Sequence, residues 1–182
     1  MHLKVISVAR RLVGLVGIVL FVALAGFSLV THVAPLTGQQ LFIVGGGSME
    51  PGIPLGSLVI VTRTDARTVV VGDVITVRAD NGVVITHRVY HVIDSADGLL
   101  FETKGDANQS PDAGLVPARA LIGAAKQYVP YAGYAQEFLS TVPGLLAAVS
   151  LLGACPLAYL LLEMLSPRVD GRAPAAVNST WS

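Results

Sequence analysis

Residues Leu12 to Val30 read LVGLVGIVLFVALAGFSLV, without one charged side chain. A helix needs about 20 such residues to cross the hydrocarbon core of a bilayer. A second apolar run, Val142 to Leu165, is long enough to do the same, with Pro156 set to kink it and Glu163 near enough its far end to snorkel to the interface. Charged residues make up only 13% of the 182, against about 25% in ordinary soluble domains. Two transmembrane helices are therefore predicted, 12–33 and 142–165, with residues 35–140 as a separate region between them. Arg10 and Arg11 precede the first run, with Lys4 a little earlier, and Arg168 and Arg172 follow the second. By the positive-inside rule both ends, 1–11 and 166–182, are cytoplasmic and 35–140 is extracytoplasmic. A cleaved signal peptide fits the first run less well, because its apolar stretch exceeds the usual 7–15 residues. A two-pass protein of a plasma membrane is expected.

The same composition removes several function classes. Twelve basic and twelve acidic residues cancel, so no basic surplus points to nucleic acid. The single cysteine, Cys155, lies in the second apolar run and can form neither an internal disulfide nor a metal cluster. No phosphate loop and no metal-ligand spacing is present, and no cofactor is expected.

Between the apolar runs the pattern changes to short β-branched stretches broken by Gly, Pro and Asp. Leu41–Val44, Ser57–Thr62, Asp73–Arg78, Val83–Ile93, Leu99–Lys104 and Ala120–Val129 read as strands. Asp80-Asn81-Gly82 and Asp97-Gly98 are hairpin turns between consecutive members of that set. The expected fold is mostly β: a compact antiparallel β-domain held between two transmembrane helices.

The turn Gly45-Gly46-Gly47-Ser48-Met49-Glu50-Pro51 follows the first of these strands. Glycines permit close backbone approach and the proline stiffens the exit, so a hydroxyl can be presented there on a rigid support. Most Gly-Ser turns are only turns. A serine nucleophile needs a base in hydrogen-bond reach. His2 and His32 lie at the N-terminus and the membrane edge, whereas His87 and His91 lie in one predicted strand. Period-two alternation puts those two on one face. A lone strand histidine is usually structural, and His91 has nothing to set it apart. An acid to orient the imidazole could come from Asp106 or Asp112, in a Gly/Pro loop where such residues ordinarily bond their own backbone. Spacing alone does not bring Ser48, His87 and an Asp together.

Taken in order, these segments resemble the type I signal peptidases. Gly47-Ser48-Met49-Glu50-Pro51 is similar to their nucleophile motif, Ser-Met-x-Pro, and Gly72-Asp73-Val74-Ile75 to a strand opening they share. Thr86-His87-Arg88-Val89 resembles the box that holds lysine in bacterial housekeeping enzymes and histidine in the endoplasmic-reticulum type. Lys104-Gly105-Asp106-Ala107-Asn108, with Asp112 beyond it, is similar to the Gly-Asp-x-Asn box of the latter, and the likeness extends to Tyr128-Val129-Pro130-Tyr131. The resemblance implies a serine endopeptidase with Ser48 as nucleophile, His87 as general base, Asp112 as third member and Asp106 as a supporting acid. It also implies preproteins as substrates, cut after small residues, with the substrate strand pairing to an exposed edge. Ser48 should lie close to the bilayer surface, and association with the secretion machinery is open. One departure stands out: where the family commonly has a serine that helps bind the oxyanion, this chain has Gly46. The backbone N–H of Ser48 would then act with another backbone donor, Gly46 being the candidate, or with a water.

Two other readings remain. A Ser-Lys dyad could use Lys104 or Lys126, although Lys104 precedes a polar loop that would not lower its pKa. Alternatively, the β-domain is a non-catalytic module that binds secreted polypeptides.

Overall fold

In the computed structural model, residues 2–165 are described. Met1 and residues 166–182, which include Arg168, Arg172 and the expected cytoplasmic tail, lie outside the described residues. Contacts divide the described chain into two units, residues 2–23 with 148–165, and Leu24–Ala147.

The first unit consists of parts of two helices, α1 (His2–Leu36) and α3 (Val142–Met164). Both are long and apolar enough to cross a membrane, and both point large apolar side chains outward. Gly17 lets them approach: a Cβ on it would stand 3.0 Å from that of Cys155. The Arg10 guanidinium lies 5.7 Å from the Tyr159 ring centroid, a cation–π distance. α1 runs past the uncharged stretch at both ends, because neither Arg10 and Arg11 before it nor Thr31 and His32 after it disfavours helix.

The second unit is a curled antiparallel sheet of seven strands in the order β1-β2-β7-β3-β4-β5-β6. Its strands are β1 (Gln39–Ile43), β2 (Leu58–Thr62), β3 (Val74–Arg78), β4 (Val84–Ser95), β5 (Gly98–Lys104), β6 (Val116–Pro117) and β7 (Leu121–Val129). The β3–β4 hairpin closes as the turn residues dictate: Gly82 takes φ +84°, and the Asn81 side chain accepts from the Val83 N–H at 3.0 Å. Successive residues of β3 serve opposite faces. Ile75 and Val77 join Val69, Val89 and Phe101 in one core cluster, while Val74 packs against Met49, Ile53, Val59 and Val61 in the other. Each of these side chains contributes about 1.5–3 kcal/mol when fully buried.

Two elements were not expected. β6 is only two residues, one of them a proline, and too short to show alternation. α2 (Ala132–Leu139) follows β7 and carries Gly133 in its first turn. A third difference concerns the histidines. β4 has a bulge between Val89 and His91: Val89 pairs with Thr103, but His91 pairs with Glu102, leaving Tyr90 over. One extra residue reverses the alternation, so His91 turns to the face opposite His87.

Candidate active site

The Ser48 turn is a single 3-10 turn, Gly47–Met49, capped by Gly46 in extended conformation. Met49, 1% exposed, plugs it into the second core cluster. Burial of Met49 thus fixes a turn whose serine, one residue earlier, remains partly open to solvent. The loop after β5 closes against this turn from the other side. The Ala107 N–H donates to the Ser48 carbonyl at 2.9 Å. Gly105 makes that approach possible, since a Cβ there would stand 2.5 Å from the same oxygen.

Ser48 Oγ lies 2.9 Å from His87 Nε2, and His87 Nδ1 lies 2.5 Å from Asp112 Oδ2. A carboxylate can only accept, so the imidazole proton sits on Nδ1 and leaves Nε2 to accept from the serine hydroxyl. Thr103, on β5 and 2% exposed, donates its hydroxyl to the same Asp112 oxygen at 2.7 Å, and the Asp112 N–H donates to the Thr103 carbonyl at 2.8 Å. The acid is therefore held by two bonds to one buried strand residue. His87 itself is 8% exposed.

Asp106 takes no part in this chain. It accepts two bonds from Arg88, from Nε at 2.8 Å and Nη2 at 2.7 Å, while Arg88 Nη1 donates to the Gly72 carbonyl. The hydrogen bonds that Arg88 donates to Asp106, together with the charge of that carboxylate, raise the Arg88 pKa above its ordinary value against the opposing effect of partial burial. Asp106 also abuts Gly52, where a Cβ would stand in contact with its Oδ2. Arg88 and Asp106 thus clamp the post-β5 loop to β4 and to the serine turn. Arg88 and Gly105 entered the sequence reading only as members of the resembling boxes, with no role of their own, and Thr103 was not singled out; the partners of all three are remote in the chain.

The remaining candidates lie elsewhere. Lys104 Nζ sits 5.8 Å from the Tyr90 ring centroid, and Lys126 is exposed on β7 at the bulge. His91 pairs with Glu102 at 2.6 Å on the outside of the sheet. His32 bonds within its own helix, to Ser28. Among the described residues no group of acids, histidines and cysteines could hold a metal.

A cavity of about 370 Å³ opens beside Ser48, lined mainly by Phe42, Ile43, Val44, Met49, Val84 and Ile85. Its walls have unpaired strand edges. Among the described residues β1 pairs only with β2, and residues 84–87 of β4 pair with β3 alone, since β5 joins from Arg88 onward.

No family model matches the chain. Over 77 residues it is 43% identical to signal peptidase I W of Bacillus subtilis, a match covering 42% of this chain and 40% of that protein. A longer match, 31% identical over 134 residues, covers 69% of this chain and 76% of the signal peptidase complex catalytic subunit SEC11 of Fusarium vanettenii. The chain belongs to the type I signal peptidases, of the endoplasmic-reticulum-like kind. The rat subunit SEC11C is similar as well, 29% identical over 140 residues and 71% of its length. Membership makes this chain a hydrolase, and the two apolar helices fit a membrane-bound signal peptidase.

Proposed function

We propose that this signal peptidase removes signal peptides from translocated preproteins as a membrane-anchored serine endopeptidase, with Ser48 as nucleophile, His87 as general base and Asp112 as orienting acid. The observation that carries the reading is the unbroken pair of contacts from Ser48 Oγ to His87 and from His87 to Asp112. His87 Nε2 takes the Ser48 proton as Oγ attacks the scissile carbonyl, and the imidazolium is stabilised by Asp112. The imidazolium then gives that proton to the leaving amine, so the C–N bond breaks and an ester to Ser48 remains. Water attacks the ester with its proton passing to His87, and the return of that proton to Oγ frees the acid product. The negative charge on the carbonyl oxygen is met by backbone N–H groups of Ser48 and Gly46.

The unpaired edges of β1 and of residues 84–87 suit an extended substrate, which adds backbone hydrogen bonds while its side chains enter the cavity. Small residues next to the cut follow from the family resemblance. Arg10 and Arg11 before the first apolar run, and Arg168 and Arg172 after the second, favour an orientation with both termini cytoplasmic and residues 35–140 on the far side of the membrane, which we take to be a plasma membrane. Such an orientation allows contact with the secretion machinery.

The test is cleavage of a preprotein by the purified full chain. Ser48→Ala, with thermal unfolding unchanged, is expected to abolish it. Cleavage retained by Ser48→Ala overturns the reading, and no cleavage by the wild type favours a binding module. Full activity in His87→Ala would revive a lysine base.

A further inference from the structure

The cavity beside Ser48 is walled almost wholly by apolar side chains and glycine backbone. Apart from Ser48 and His87 themselves, Thr86 is the one residue with a polar side chain in its lining. Thr86 lies on β4 directly opposite Thr76 of β3, and cross-strand partners point to the same face. Val74, two residues before Thr76, packs in the cluster of Met49, together with Phe42 and Val44. Those three residues also line the cavity. Strand alternation therefore turns the Thr86 side chain to the cavity side of the sheet.

The two threonine hydroxyl oxygens are 2.9 Å apart, and neither has another partner among the described residues. Distance alone does not say which of them donates, but burial does. Thr76 is 0% exposed. Were it the acceptor, its own proton would be sealed inside the sheet with nothing to bond, at the full cost of its desolvation. Thr76 therefore donates and Thr86 accepts. A hydroxyl has one proton, and that of half-buried Thr86 is left to the cavity. Water takes it there until a substrate side chain fills the space.

We propose that Thr86 is a specificity-determining residue whose hydroxyl makes the protein favour serine over alanine at a small residue before the cut. The inference rests on the peptidase reading above and on the cavity receiving a substrate side chain. An alanine methyl displaces the water and leaves the Thr86 proton unpaired, whereas a serine hydroxyl of nearly the same size accepts it. Thr76 is the positioning residue, because its proton occupies one lone pair of Thr86 Oγ1 and turns the Thr86 proton outward. Alternate residues of an extended chain point the same way. The residue before the cut and the one two places upstream are therefore the two that reach this wall.

The test is competition between two preproteins for the purified full chain. One pair differs only in alanine or serine at the residue before the cut, and a second pair differs two places upstream. The expected kcat/KM ratio favours serine by about 2–10-fold in one of the pairs, the scale of a single neutral hydrogen bond. A ratio measured in competition does not depend on how much of the protein is folded. Thr86→Ser should keep the preference. Thr86→Val alone strands the buried Thr76 hydroxyl, so it is combined with Thr76→Val, which replaces both polar groups by apolar ones of the same shape. The double variant should lose the preference or turn it towards alanine. Equal rates in both pairs, a serine preference that survives the double variant, or one that Thr86→Ser abolishes would each overturn the inference while leaving the peptidase reading intact. No cleavage of any preprotein brings down the peptidase reading, and this inference with it.

Discussion

Two histidines four residues apart on β4 each meet a carboxylate. The pairs match in distance and in the exposure of the acid, 26% for Asp112 and 28% for Glu102, but not in the exposure of the histidine. His87 meets Asp112 at 2.5 Å and His91 meets Glu102 at 2.6 Å. The His87 side chain is 10% exposed and that of His91 61%. The His87 pair has a serine on its second nitrogen and a threonine on its acid, whereas the His91 ring has the Tyr90 ring against it at 4.6 Å between centroids. A histidine beside an acid is thus no active site by itself. The bulge at Tyr90 separates the two by turning everything beyond it to the other face.

Mutation of each pair in turn is the strongest way to break this contrast. His87→Ala should lower kcat by roughly 10⁴-fold or more, as removal of a triad base does elsewhere. His91→Ala should leave preprotein cleavage within about twofold, as expected for an exposed pair of small energetic worth. Equal losses would mean that the burial argument is wrong. The rate should also fall on the acid side in wild type and in His91→Ala alike, since a protonated imidazole cannot take the serine proton. A rate that does not fall on acidification while the protein stays folded would contradict a histidine base.

The acids give a second contrast. Asp112→Asn keeps the shape of the contact but lets His87 adopt the wrong tautomer, and kcat should drop roughly 10⁴-fold. Asp106→Asn acts through position alone. Loosening the clamp between Arg88 and the loop at Gly105 should cost up to about 10²-fold, the scale of a 1 Å misplacement, with a lower Tm and an unchanged acid limb. Arg88→Met should behave alike. The raised pKa of Arg88 means its contribution is fully present below the ordinary arginine value and is lost only above it. An alkaline fall in rate at moderate pH is therefore not the clamp opening.

Gly46 offers the smallest effect and the one with opposite sign. Its φ of −135° suits any residue, and nothing stands within 4 Å of where a Cβ would go. Gly46→Ser should fold normally and raise kcat, by less than the ~10²–10³-fold that loss of a built oxyanion donor costs. A decrease would mean that the backbone donors already fill the oxyanion site.

Much of the fold was legible because β-branched alternation and turn residues are local signals. Six of the strands and both hairpins lay within a residue or two of their expected places. β6 escaped because two residues cannot alternate, and α2 because eight residues with a glycine show little helical period. The bulge in β4 has no local marker: Val89-Tyr90-His91 reads as continuous strand, and only pairing to β5 exposes the extra residue. At the site, motif order pointed to Ser48, His87, Asp106 and Asp112, and the resemblance implied Asp112 as the third member, but the residues alone did not tell which acid meets His87. It depends on which of them the loop after β5 delivers to β4, and Arg88 and Thr103 decide that from positions remote in sequence.

The most direct test of the central claim is intact mass measurement of the full chain, acid-quenched within a turnover on a preprotein. The account predicts a transient ester mapping to Ser48, adding the mass of the released signal peptide less one water, and absent from Ser48→Ala. Steady cleavage with no adduct on Ser48, in a variant such as Asp112→Asn chosen to slow deacylation as well as in wild type, would contradict it.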